Sequence, residues 1–209
     1  MIKYIIFDFD GTIVNSKKLA LQLINDLSGK YGYRKAGEEE LDYLSTLSIR
    51  ERLKLFQVPF YKVPQIVLDM RKNYNHSVES LEIFNGIGDV IHNLKEKGFK
   101  LSIISSNAEE NIKKVLVKYN IDSFDSIHSS YNLFGKSGKI SAFLKKHHLK
   151  KDEIIYIGDE LRDIQACQKS EVKIIAVTWG YDSSELLKKA NPNHIANNPS
   201  EIVDLIQRF

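Results

Sequence analysis

Met1-Ile2-Lys3-Tyr4-Ile5-Ile6-Phe7 runs directly into Asp8-Phe9-Asp10-Gly11-Thr12. The first run is short, apolar and rich in β-branched and aromatic residues, the pattern of a strand buried on both faces of a parallel sheet. It ends abruptly in acids and a glycine. On a locally extended chain Asp8 and Asp10 project to the same side, about 6–7 Å apart, while Phe9 turns the other way. Two carboxylates so placed repel unless a cation lies between them. A hard divalent ion such as Mg²⁺ suits the arrangement, because it takes one or two carboxylates plus phosphate oxygens. Gly11 lets the backbone pass close to a bound anion, and Thr12 adds a hydroxyl. The same residues also make an ordinary Asx turn or helix cap.

Outward from this stretch the rhythm changes twice. From about residue 16 to 80 the apolar spacing is helical. Leu19, Leu23, Ile24 and Leu27 share a face, as do Leu41, Leu44 and Leu47; Ile49, Leu53 and Phe56 form another stripe, and residues 66–74 a further one. Pro59 and Pro64 punctuate a bundle of short helices. After Phe84-Asn85-Gly86 the pattern alternates. It predicts helices over about 87–97, 108–119, 137–148, 162–169 and 200–207, with strands at 100–104, 126–129, 154–157 and 173–177. Gly98 supplies the left-handed end of the first of these helices. Alternating strands and helices imply a parallel sheet covered on both faces. The expectation is an α/β, Rossmann-like three-layer core over residues 1–15 and 81–209, with a small α-helical cap, residues 16–80, inserted after the first strand.

Composition agrees with a packed globular chain. The 209 residues are 43% hydrophobic and 27% charged, with only 11 Gly and 4 Pro, which excludes a fibrous or mainly disordered protein. The net charge of +3 is too small for a nucleic-acid footprint. The basic run Lys145-Lys146-His147-His148, followed by Lys150-Lys151, reads as a solvated helix end. No apolar run approaches the roughly 20 residues of a membrane span, and the acids at Asp8 and Asp10 come too early for a secretory leader. The lone Cys167 sits on an expected helix as a packing residue. A soluble, cytoplasmic protein is expected, with neither nucleic acid nor membrane as partner.

In open α/β sheets ligands bind beyond the carboxyl ends of the strands, and those ends carry the polar residues here. Ser105-Ser106-Asn107 follows the second core strand. These residues either cap the helix that begins at Ala108-Glu109-Glu110 or offer a hydroxyl and backbone N–H groups to an anion. Lys136, within Gly135-Lys136-Ser137-Gly138-Lys139, precedes a helix. Asp159 ends the strand at 154–157, with Asp163 one helical turn further on, so both carboxylates face one mouth. Such a pair demands a cation.

In this order, Asp8-Phe9-Asp10-Gly11-Thr12, a hydroxyl after a strand, a lysine, and Gly158-Asp159 with Asp163 resemble the four motifs of the haloacid dehalogenase superfamily, over nearly the whole chain. Phe84-Asn85-Gly86-Ile87 and Thr178-Trp179-Gly180 are similar to its phosphoglycolate phosphatase-like members. The resemblance implies a Mg²⁺-dependent phosphatase acting on a small phosphorylated metabolite. Asp8 would be the nucleophile that becomes an aspartyl phosphate, and Asp10 the general acid and base. Ser105 would contact the phosphoryl oxygens, assisted by Ser106 or Asn107, with Gly11 and Thr12 beside the phosphate. Lys136 would neutralise charge, although Lys139 is an alternative because Ser137 stands where the family often has Pro. Asp8, the Asp10 backbone carbonyl and Asp159 would hold Mg²⁺, with Asp163 in support. Glu160, where many relatives have Ser or Thr, either pairs with Arg162 or a lysine or is an exposed first-turn acid.

The inserted helices would set specificity. Arg50, closing Ser45-Thr46-Leu47-Ser48-Ile49-Arg50, either recognises a substrate anion through its guanidinium fork or pairs on the surface with Glu51. Tyr43, Tyr61 and Tyr74 read as packing residues, and the histidines as surface or packing residues. A phosphomutase of the β-phosphoglucomutase type uses the same acids. A receiver-like phosphorylation module also gathers acids, a hydroxyl and a lysine, but places its phospho-acceptor after a later strand and lacks an insertion.

Overall fold

The computed structural model describes residues 1–129 and 135–209. Among these described residues six parallel strands, β1 (Tyr4–Phe7), β2 (Lys100–Ser105), β3 (Ser126–Ser129), β4 (Ile154–Gly158), β5 (Lys173–Val177) and β6 (His194–Ala196), lie in the order β3-β2-β1-β4-β5-β6. Phe7 pairs with Ile103 on one side and Ile157 on the other, which places β1 centrally. Strand order reverses at β1, so the crevice beyond its carboxyl end is the switch point where an open α/β sheet binds ligands. Asp8 enters that crevice, with its N–H still bonded to the Ile157 carbonyl at 2.8 Å.

Alternation along β1 builds the layers. Ile5 and Phe7 join Ile87, Ile91, Leu101 and Ile103 on one face, against α5 (Ile87–Glu96), α6 (Glu109–Lys118) and α10 (Glu201–Ile206). Tyr4 and Ile6 join Ile140, Phe143, Tyr156 and Ile164 on the other, against α7 (Lys136–Lys146), α8 (Leu161–Ser170) and α9 (Ser184–Lys189). The three-layer expectation matches. Helix α9 and strand β6 were not legible in the sequence: β6 is a three-residue edge strand, too short for an alternation to register. Cys167 is buried among the second set of apolar side chains. Lys145 and Lys146 lie exposed in the last turn of α7, as expected of a solvated helix end. No helix of the described residues is long and apolar enough to cross a membrane.

Between β1 and α5 stand α1 (Lys17–Tyr31), α2 (Leu41–Ser45), α3 (Ile49–Leu55) and α4 (Val63–Tyr74). Their ends follow local chemistry. Gly32 closes α1 in the left-handed conformation with φ 73°. Ser48 and Glu51 form a capping box at the start of α3. Pro64 lies in the first turn of α4, where no intrahelical N–H is needed. Leu21, Leu27, Leu44, Leu53, Phe56 and Ile66 give these helices an apolar cluster of their own. The segments entering and leaving the insertion pair with each other: Asn15 N–H bonds the Glu82 carbonyl at 2.8 Å and Phe84 N–H the Ile13 carbonyl at 3.0 Å. The insertion docks over the carboxyl ends of the strands. Ser183 N–H reaches the Ser45 carbonyl at 2.8 Å, and Arg71 Nη2 donates to Ser129 Oγ at 2.6 Å.

Candidate active site

The strand ends bring Asp8, Lys136 and Asp163 into contact. Lys136 Nζ donates to Asp8 Oδ2 at 2.7 Å and also pairs with Asp163 Oδ1. All three side chains are at most 6% exposed. Burial works against the Lys136 ammonium, but Asp163 and Asp8 outweigh it and raise its pKa above the usual lysine value. Burial pushes Asp8 up while Lys136 pulls it back. Asp163 is lifted to about 6, by burial first, with Lys136 opposing and Asp8 adding to the rise. Lys139 lies exposed on α7, so Lys136 is the lysine of the pair that reaches the site.

Asp159, fully buried, is gripped from two sides. Thr12 Oγ1 donates to Oδ1 at 2.7 Å and Tyr181 N–H to Oδ2 at 2.8 Å. A Cβ on Gly11 or on Gly180 would overlap the Asp159 carboxylate, and Gly11 sits at φ 79°. The structure therefore shows Gly11 making room for an acid and Thr12 orienting that acid. Burial pushes the Asp159 carboxyl well above the carboxylate range, and Glu160, Asp8 and Asp163 add to the shift.

Glu160 is 6% exposed, which excludes the exposed first-turn reading. Arg162 Nε donates to its Oε2 at 2.6 Å. Burial pushes Glu160 up, but Arg162 and Lys136 hold it below the usual range. Carboxylate oxygens of Asp8, Glu160 and Asp163 lie within 4.8 Å of one another. This side-chain cluster shares Asp8 and Asp163 with the expected metal set of Asp8, Asp10, Asp159 and Asp163, in which Asp10 would serve through its backbone carbonyl. Asp159 is held by Thr12 and Tyr181, and Arg162 offsets the burial of Glu160.

Asp10 has its own shell. Its Oδ1 accepts from Tyr74 at 2.6 Å and from Ser16 Oγ at 2.8 Å, and its Oδ2 accepts from Asn107 Nδ2 at 3.0 Å. Tyr181 Oη lies 3.0 Å from Ser16 Oγ. Burial raises the Asp10 pKa, and the three donors moderate the rise. Tyr74, expected only to pack, reaches the site from α4. Ser16 and Tyr181 carried no signal, since neither sits in a motif. Tyr43 and Tyr61 lie largely on the surface, 55% and 80% exposed, rather than in the packed interior.

Ser105 is buried and accepts the Asn107 N–H at 3.0 Å, a turn that starts the approach to α6. Ser106 and Asn107 line a cavity that runs from Asp10 into the insertion. Arg50 does not reach it. It is exposed on α3, facing a shallow groove with Pro59 and Phe60. Two positions on, about 200° around the helix, Arg52 lines the cavity, pairs with Asp182 and donates Nε to the Leu44 carbonyl at 2.8 Å. Asp182 Oδ2 in turn accepts the Leu161 N–H at 2.6 Å.

The donor set suits a divalent cation. Asp8, Asp159, Glu160 and Asp163 are four buried carboxylates against two cations, Lys136 and Arg162, so the ionised site carries two excess negative charges. Every candidate ligand is a hard oxygen, the preference of Mg²⁺ and Ca²⁺ rather than of softer metals.

A model of the haloacid dehalogenase-like hydrolases matches residues 5–177. A phosphoglycolate phosphatase of Synechococcus elongatus is 25% identical over 206 residues, covering 98% of this chain and 97% of its own. A pyrophosphatase PpaX of Bacillus mycoides is 22% identical over 214 residues, covering 100% and 98%. Among solved structures, a predicted phosphatase from Clostridium acetobutylicum superposes with a TM-score of 0.85 at 23% identity over 100% of both chains.

Proposed function

The chain belongs to the haloacid dehalogenase-like hydrolases, and on that footing we propose that it is a Mg²⁺-dependent phosphatase working through an aspartyl phosphate on Asp8. The observation that carries this reading is the environment of Asp10. A carboxyl with a raised pKa, held by Tyr74, Ser16 and Asn107 beside a lysine-paired carboxylate, is equipped to give and then take a proton.

A carboxylate oxygen of Asp8 attacks phosphorus as the ester P–O bond breaks, and Asp10 gives its proton to the leaving alkoxide. Asp10 then takes a proton from water as the water oxygen bonds phosphorus and the Asp8–phosphorus bond breaks, releasing inorganic phosphate. Lys136 neutralises charge on Asp8 and on the phosphoryl group. Ser105, Ser106 and Asn107 border the phosphoryl oxygens, while Gly11 and Thr12 serve them indirectly by placing Asp159. Asp8, the Asp10 backbone carbonyl, Asp159 and Glu160 would hold Mg²⁺, with Asp163 supporting the site through Lys136. When bound, the ion supplies neutralisation of the charge-rich transition state.

The relatives named for phosphoglycolate and for pyrophosphate support a small phosphorylated metabolite as substrate. Cys167, buried and unpaired by disulfide, fits a reducing compartment such as the cytoplasm. The test is phosphate release from p-nitrophenyl phosphate with and without Mg²⁺, on wild type and Asp8→Asn. Release should require Mg²⁺ and fall on the order of 10⁴-fold or more in the variant, the scale of losing a covalent nucleophile. Activity surviving Asp8→Asn would remove Asp8 from that role.

A further inference from the structure

The cavity that begins at Asp10 continues into the helical insertion with a volume of about 240 Å³. Most of the walls there are hydrocarbon: Leu21 from α1, Leu44 from α2, Ile49 and Leu53 from α3, and Ile66 and Met70 from α4. Helix interiors pack to crystal-like density, and a void among aliphatic side chains is destabilising. Water against these aliphatic side chains gains little, because an ordered water needs two to four polar partners. An apolar group is the occupant such walls favour.

The charged lining is largely committed elsewhere: Arg52 pairs with Asp182, Arg71 donates to Ser129 and Arg162 pairs with Glu160, while Lys17, Ser45 and Tyr74 complete the insertion's polar share. Asp10, Ser106 and Asn107 line the cavity from the strand ends, so a molecule with its phosphate at Asp8 and its ester oxygen at Asp10 would extend its alcohol portion toward the aliphatic side chains of the insertion. We infer that the substrate class is the phosphate monoester of a compact apolar alcohol, aliphatic or aromatic, with the alcohol's body seated among Leu21, Leu44, Ile49 and Ile66. The inference rests on the phosphatase reading and narrows it, since it sets such esters above small hydroxy-acid or polyol phosphates.

The test compares methyl, ethyl, propyl and butyl phosphate with phosphoglycolate on the full chain with Mg²⁺. Each methylene transferred from water to an apolar site gains about fourfold, so kcat/KM should rise roughly sixtyfold from methyl to butyl and leave phosphoglycolate behind. In Ile49→Trp, which fills the cavity from a partly exposed wall position, the butyl-to-methyl ratio should collapse toward one. The ratio is taken within one preparation, so a fraction of misfolded protein cancels. A flat alkyl series with phosphoglycolate preferred would overturn the inference and leave the phosphatase reading standing. If no ester is hydrolysed, the phosphatase reading falls. The affinities of methyl and butyl phosphate for the wild type, read by calorimetry, then decide the cavity alone: a graded series supports the apolar seat, and equal affinities overturn it.

Discussion

The two walls of the cleft are made of different material. The strand-end wall is ionic: Asp8, Lys136 and Asp163 meet although Lys136 is 128 positions from Asp8 and 27 from Asp163. The wall contributed by the inserted helices is hydrocarbon with a cationic rim, where Arg52 is already committed to Asp182. Charge on one side and apolar surface on the other divide the labour. In the proposed phosphatase the first wall would meet the invariant part of the ester, the phosphoryl group, and the second whatever alcohol the ester carries.

Breaking the ionic wall should give the largest effect. Lys136→Met keeps much of the side-chain length but leaves Asp8 and Asp163 buried without their cation. Removing one partner of a buried pair costs about 3–5 kcal/mol, which for a chain of this size is a fall of roughly 6–20 °C in melting temperature. Saturating Mg²⁺ should restore part of the loss by supplying the missing positive charge. A melting temperature within a degree or two of wild type in metal-free buffer would mean that the pair does not hold the wall together.

Glu160→Gln is the next smaller break, and it probes which acids form the ionic wall's cation site. The amide preserves shape while removing one charge from the cluster with Asp8 and Asp163 and weakening the bond from Arg162. Losses of a ligand or its orienting partner weaken metal binding by about 10–100-fold. The readout is the Mg²⁺ concentration giving half-maximal thermal stabilisation, a quantity free of any assumption about substrate. An unchanged midpoint would assign Glu160 to Arg162 alone.

The same contrast governs what the sequence made legible. A parallel sheet gathers polar residues at strand ends, so Asp8 and Asp159 stand out where a strand-like run stops, with Asp163 a turn further on; Lys136, opening α7 well after β3, is separated from Lys139 only by its burial in the fold. Helices give no such landmark. Arg50 and Arg52 are two positions apart, and only the docked rotation of α3 decides which one meets the cavity. Tyr74 ends α4 looking like any buried tyrosine, and Ser16 and Tyr181 sit in connections. Their roles come from how the insertion sits over the core, which periodicity within a helix does not encode.

Tyr74 is where the two walls meet, and Tyr74→Phe sharpens the comparison most finely. Its hydroxyl donates to Asp10, favouring the charged carboxylate. In the proposed role Asp10 would become charged on protonating the leaving alkoxide, so the hydrogen bond would assist that step. A bond to a charged group contributes about 1.5–3 kcal/mol, and at this partly exposed carboxylate the lower end applies, close to tenfold in rate. The loss should depend on the alcohol. Alkyl esters, whose leaving groups are strongly basic, need the proton and should lose about tenfold in kcat/KM. p-Nitrophenyl phosphate, whose leaving group departs as a stable phenolate, should lose little. A purely structural contribution of Tyr74 to docking of the insertion would lower both substrates equally. The ratio of the two losses therefore tells whether the helical wall contributes to the chemistry or only encloses it.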